Sequence, residues 1–245
     1  MAQFHVYAGA GEGLTRPAIR TISLSDLGAA LSDGYADFMA RPSHLVFLGL
    51  IYPLMSGFAL IGPVAAVGLY EISRRREAGQ DSGLGHAFDV LRSPSLPAIL
   101  TLALLLALLF GAWLGTARTL DKWLMGPADH GDYASFLNAV FTTSQGWALI
   151  VIGNTVGFLF AALVLIISVV SFPLLLDRDV GAVVAVETSV RAVAANPVVL
   201  AAWGLIVALG LAIGFATLFV GLAVIVPILG HATWHLYRRV VAPAA

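Results

Sequence analysis

The stretch AVAANPVVLAAWGLIVALGLAIGFATLFVGLAVIVPILGHATWHLY, residues 192–237, decides how this chain folds. It lies between Arg191 and Arg238, runs for 46 residues and contains no Asp, Glu, Lys or Arg. As a single helix rising 1.5 Å per residue it would reach about 69 Å, more than twice the roughly 30 Å of a bilayer's hydrocarbon core. It therefore crosses twice. A turn near Thr217 to Gly221 divides it into spans at 198–216 and 219–237, each of about 20 residues, the length a membrane helix needs.

Composition agrees. Hydrophobic residues make up 59% of the chain and charged residues 11%, with a mean hydropathy of +0.92, whereas about a quarter of the residues of soluble domains are charged. Thirteen basic and 14 acidic residues nearly cancel, and the longest basic block is Arg74-Arg75-Arg76, so no nucleic-acid partner is expected. The absence of Cys removes disulfides, thiolate metal sites, covalent c-type haem and a Cys nucleophile. At 245 residues the chain suits one membrane domain, placed at 22–241. The Gly- and Ala-rich residues 1–21 read as a disordered tail, and Gly9, Gly11 and Gly13 lack the strand and the Gly-Lys-Ser/Thr of a phosphate loop.

Working outward from the deciding stretch, one pattern recurs three times. Leu27, Leu31, Tyr35 and Phe38 fall at helical spacing in 25–41, which ends at Arg41-Pro42. Leu84, Ala87, Phe88 and Leu91 do so in 83–93, ending at Ser93-Pro94. Val183, Val186, Val190 and Val193 do so in 180–196, with Glu187 and Arg191 spaced for an i, i+4 pair, ending at Asn196-Pro197. Proline disfavours helix in the residue before it and fits the first turn of the next helix. The expected fold is an all-α transmembrane helix bundle built from about three repeats, each an interfacial helix, an X-Pro corner and a membrane hairpin.

Two further spans are expected at 96–117 and 147–176, with Trp113, Trp147, Trp203, Trp234 and Tyr237 mostly near span ends as interfacial anchors. Between them, 118–146 forms an outer loop in which Tyr133, Phe136, Leu137, Val140 and Phe141 mark another interfacial helix. If the three interfacial helices face the cytoplasm, that side holds eleven arginines and the other only Arg118 and Lys122, the asymmetry of the positive-inside rule. Both termini are then cytoplasmic. The segment 44–71 is too short for two full spans and reads either as a re-entrant hairpin turning near Met55 to Gly57 or as one span interrupted at Pro53 and Gly62-Pro63.

Four strings, GFALIGPVAAVGLYEISRRREAG (57–79), HAFDVLRSP (86–94), SVVSFPLLLDRDVGA (168–182) and LGHATWHLYRR (229–239), together resemble a family of bacterial integral membrane proteins, the domain-of-unknown-function 2189 type. The resemblance covers nearly everything from about Arg20 onward and implies residence in a bacterial inner membrane with no assigned activity. The family pattern is longer than this chain between the equivalents of Tyr52-Pro53 and Gly57-Phe58.

Candidate chemistry is sparse. His231 and His235 share a helix face at i, i+4, the spacing of His-Glu-x-x-His, but Ala232 stands where the general base would be. With His44 and His86 they could meet on a metal or haem; the plainer reading is four interfacial histidines bonded to backbone or headgroups, so neither metal nor cofactor is expected. Asn154 and Thr155 are polar residues inside a span, suited to an interhelical hydrogen bond or to substrate coordination. Gly111 with Gly115, Gly153 with Gly157 and Gly210 with Gly214 carry the Gly-x-x-x-Gly spacing of close helix packing. Arg74, Arg75 and Arg76 suit anionic lipid headgroups or a protein partner.

No acidic relay lies in a span, and neither Gly-x-Ser-x-Gly nor a phosphate loop occurs. The functions expected are, in order, a non-catalytic accessory or scaffold protein, a small-solute transporter or channel, and a metal- or haem-binding membrane protein. Its partners are the lipid bilayer and either another membrane protein or further copies of itself.

Overall fold

The computed structural model describes residues 16–40, 61–126 and 132–243, with side chains of the second stretch from residue 66 onward. His44, Arg41-Pro42, Pro53, the turn expected near Met55 to Gly57 and the three tail glycines lie outside the described residues. The elements in chain order are α1 (Leu24–Ala40), α2 (Ile61–Glu77), a 3-10 helix η1 (Leu84–Arg92), α3 (Leu96–Met125), α4 (Tyr133–Thr142), α5 (Ser144–Ser168), α6 (Ser171–Asp177), α7 (Ala182–Ala195), α8 (Pro197–Ala216) and α9 (Leu222–Val240). The described fold is all-helical apart from one isolated antiparallel bridge, Ile19 to Val241.

Among the described residues three segments are long and apolar enough to cross a membrane: α3, α5 running on into α6, and α8. The turn between α8 and α9 falls where chain length requires it, at 217–221, and the helices it joins are antiparallel, Gly214 lying against Leu222 and Gly210 against Ile225 and Leu229. Leu218 and Phe219 take positive φ values of 53° and 67° in that turn. The segment expected as a span at 219–237 is helical but not among the three apolar ones, because its second half is a polar centre around which other helices gather.

Two spans differ from their expected bounds. The helix beginning at Leu96 does not stop at Ala117 but runs through Arg118 to Met125, since its last turns can project beyond the hydrocarbon into a wet layer that tolerates charge. The segment 147–176 is broken at Val169 and Val170, because Pro173 has no N–H to donate back along the helix. Ser189 from α7 repairs the break, its hydroxyl donating to the Ile166 carbonyl at 2.7 Å and accepting from the Val170 N–H at 3.3 Å. Two of the three expected X-Pro corners lie among the described residues: Ser93 is extended, at φ −66° and ψ 138°, and Pro197 opens α8 after Asn196.

The described chain divides into two compact units, Met1–Leu104 with Ile166–Ala245, and Leu105–Leu165. In the second unit Asp132 caps α4 by accepting from the Ser135 N–H at 2.7 Å, and that donor holds the Asp132 carboxyl below its ordinary pKa. Tyr133 and Phe141 of α4 point outward, as an interfacial helix requires.

In the first unit α1 packs on α9, and α2 on η1 and α9. Residues 16–22 are not a loose tail. Arg20 donates its N–H to the Val240 carbonyl at 2.7 Å, Ala242 donates to Ala18 at 2.9 Å, and the Asn196 side chain accepts from Ile22 and donates to the Arg20 carbonyl. Three helices here turn some of their large apolar side chains outward, and α1 and α7 bury small ones beside Leu27, Phe38 and Val184. α1 buries Ala30 and Gly34 and exposes Tyr35 and Met39; η1 exposes Phe88 and Leu91; α7 buries Ala182, Ala185 and Ser189 and exposes Val183 and Val190. In water this arrangement is costly. Against lipid it is the favourable one, because acyl chains are as apolar as leucine and close packing rewards small residues.

Candidate functional site

The densest concentration of chemistry in the first unit gathers on the second half of α9, where His231, Trp234 and Tyr237 are buried. α9 turns His231 towards α2, where its Nδ1 lies 2.8 Å from the buried Ser73 hydroxyl. His235, one turn on, meets α1 instead: its Nε2 is 2.8 Å from Asp37 Oδ2. Arg76 Nη1 reaches the other oxygen of Asp37 at 2.9 Å. Asp37 is 5% exposed. Burial works to raise its pKa, but hydrogen bonds from His235 and Ser73 and the nearby histidine charges outweigh that and hold the carboxyl below its ordinary range. With the ring hydrogen on Nδ1, His231 donates to Ser73 and Ser73 to Asp37, which leaves His231 Nε2 buried without a partner.

Around this core the charges pair among themselves. Glu71 is buried and accepts from Arg74 at 2.7 Å and Arg75 at 2.8 Å. Glu77 accepts from the Trp234 indole at 2.9 Å and from Arg238 at 3.0 Å. Arg239 meets Asp33 at 2.8 Å, and the Tyr237 hydroxyl donates to Asp177 at 2.6 Å. Thus Arg74, Arg75 and Arg76 are first of all ion-pair partners within the chain. Glu187 pairs with Arg16 at 2.9 Å rather than with the expected Arg191. Spacing along one helix could identify i, i+4 candidates but not partners more than 150 residues away.

The three candidate histidines among the described residues, His86, His231 and His235, do not form a common ligand set. His231 has Ser73, His235 has Asp37, and His86 has Asp89 at 2.7 Å and Asp81 at 3.2 Å. Among the described residues no three His, Asp or Glu side chains are arranged to hold a metal ion. The hydrogen bond to Asp89, with that to Asp81, raises the His86 pKa above its ordinary 6.5, against the opposing charge of Arg75. A raised folded value means that the contribution of this cluster is fully present below about pH 6.5 and is lost as pH rises through the folded pKa. The His86 ring should therefore titrate with a midpoint above 6.5 in an NMR pH series, with faster amide exchange across residues 84–92 above that midpoint. A midpoint at or below 6.5 contradicts it.

Asn154 does not make the expected interhelical bond: its Nδ2 donates at 2.7 Å to the Ile150 carbonyl of its own helix, as Thr155 does to Val151. Both are exposed, and Asn154 lines a cleft of about 270 Å³ with Trp113 and Gly153 in the second unit. Of the packing glycines, Gly210 and Gly214 lie against α9, and a Cβ added at Gly157 would meet the Trp113 indole at 3.6 Å. At Gly111, Gly115 and Gly153 no described side chain or neighbouring backbone would touch an added Cβ, so the packing expected there is not made.

The constellation of buried Ser73 and Asp37 with half-buried Arg76 is invisible to motif reading, because its members lie on two helices, α1 and α2, that are separated in the chain. The one available signal was the polar interruption of an apolar helix at His231 and His235. A family described as predicted integral membrane protein (DUF2189) matches residues 51–177. No curated protein and no solved structure matches the chain.

Proposed function

Because the chain belongs to this family of predicted integral membrane proteins, we propose that it is a non-catalytic scaffold or accessory protein. We place it in a bacterial inner membrane with its charged end and both chain ends at the cytoplasmic face. The observation that carries the reading is the mutual satisfaction of the charged end. Asp37 holds three partners within the chain, His235, Arg76 and Ser73, and Glu71 and Glu77 hold two each. The Ser73 and His231 pair, whose residue types could serve a nucleophile and its base, is fully buried, and a nucleophile must be reachable by substrate. Such a network welds α1, α2 and α9 into one rigid body, as a scaffold needs. The sidedness is supported by the excess of arginine at that end.

A transport reading has one observation in its favour, the polar Asn154 beside a cleft on a membrane span. Reconstitution separates the two. Liposomes carrying the purified chain should release trapped potassium, chloride and glycerol no faster than protein-free liposomes, while mild-detergent extracts retain a stoichiometric membrane partner or a defined oligomer. Protein-dependent flux that Asn154→Leu abolishes would replace the scaffold with a transporter.

A further inference from the structure

A charged cleft of about 310 Å³ opens in the first unit where α2, η1, the start of α3 and the end of α6 come together. Its position relative to the bilayer follows from the spans. The apolar run of α3 begins at Leu96, directly after the lining residue Ser95, and that of α5 and α6 ends at Asp177, which also lines the cleft. The cleft thus sits where two membrane segments emerge, at headgroup depth. Its lining includes the apolar Pro94 and Leu176, and the adjoining η1 turns Phe88 and Leu91 outward, so acyl chains have a surface to follow.

Four arginines and four carboxylates line the cleft, so its formal charges cancel. Two of the arginines retain donor capacity. Arg92 has an 89% exposed side chain and comes no nearer than 3.9 Å to Asp89. Arg178 is mostly buried and tied by Nη2 to the Ala242 carbonyl, yet its Nε has no hydrogen-bond acceptor and stands 3.5 Å from Asp177. A buried guanidinium N–H without an acceptor is costly, and a phosphate oxygen is an acceptor that a guanidinium pairs with strongly. On the acidic side, the Asp177 contacts with Tyr237, Arg178 and Arg238 all fall on Oδ2, leaving Oδ1 for a cation.

We infer that this cleft binds the phosphate of a zwitterionic phospholipid headgroup, the phosphate between Arg92 and Arg178 and the headgroup ammonium towards Asp177. A neutral lining discriminates against a headgroup or free ion that brings net negative charge, which a purely basic patch would welcome. The inference rests on membrane residence and not on the scaffold reading. Flux in liposomes would sink that reading and leave this one standing.

The test uses the full-length chain in mild detergent, exchanged separately with phosphatidylethanolamine, phosphatidylglycerol and inorganic phosphate, and read by native mass spectrometry. One phosphatidylethanolamine should be retained in preference to the other two probes. Arg92→Gln should lower its retention about three- to tenfold, the range expected for losing one partly solvated charge-assisted hydrogen bond. Arg118→Gln, on an exposed residue of the second unit, should leave retention unchanged, and neither variant should alter the melting temperature. Equal retention by wild type and Arg92→Gln overturns the site. Phosphatidylglycerol held as well as phosphatidylethanolamine overturns the zwitterionic preference, and inorganic phosphate held in place of lipid overturns the lipid source.

Discussion

Asp37→Ala is expected to loosen the junction of α1, α2 and α9, at a cost of about 2–4 kcal/mol. The substitution leaves Arg76 and His235 without the carboxylate that now accepts from both, at 2.9 Å and 2.8 Å. The estimate is set below the full value for a broken buried pair because the Arg76 side chain is 36% exposed and can turn towards water. Asp37→Asn keeps the shape and one acceptor oxygen and should recover part of the loss. The measurement is thermal unfolding in detergent with proteolysis of α1 as a local readout. Acidification of the wild type should mimic the substitution, with a definite sign. Because the Asp37 pKa is lowered on folding, its contribution is complete above the ordinary carboxylate value of about 3.9 and disappears only as pH falls through the lower folded value. Equal stability of Asp37→Ala and wild type at neutral pH would remove the network from any account of why α1 docks.

Gly34→Leu is expected to be at least as damaging, through sterics rather than charge. A Cβ at Gly34 would lie 2.5 Å from the Ala232 nitrogen and 2.7 Å from both its Cα and Cβ. Two of these atoms are backbone and cannot rotate away, so α1 must lift off α9. Gly34→Ala should already cost about 1–3 kcal/mol, as overpacking of a tight contact does, and leucine more. Adding Ala232→Gly removes only the Cβ contact and should not rescue either variant. Full rescue, or a Gly34→Leu protein with unchanged melting and protease resistance, would show that the helices do not cross at this point. The contact also fixes how α1 is rotated. Its periodicity groups Leu27, Leu31, Tyr35 and Phe38 on one apolar stripe of an interfacial helix, yet Tyr35 is exposed while Leu27 and Phe38 are buried, and the buried face is Leu27, Ala30, Gly34, Asp37 and Phe38.

That rotation illustrates how far the residues could be read without coordinates. Membrane residence, the fold-back of 192–237 at 217–221, the helices near 25–41, 133–141 and 180–196, and the corners at Pro94 and Pro197 follow from the primary structure alone. Each depends on local quantities, namely apolar run length against bilayer thickness and the backbone restriction imposed by proline. What folding decided is which face turns inward and which charge meets which. In lipid apolar character alone does not choose the inward face, and small residues that let helices approach help to decide it. The choice is visible only when Gly34 and Ala232 are set side by side. The same holds for Asp37 and His235, 198 residues apart, and for Ser189, whose hydroxyl closes a helix break made by Pro173. These contacts join residues with no local relationship in the chain, and their energies exist only once the helices have docked.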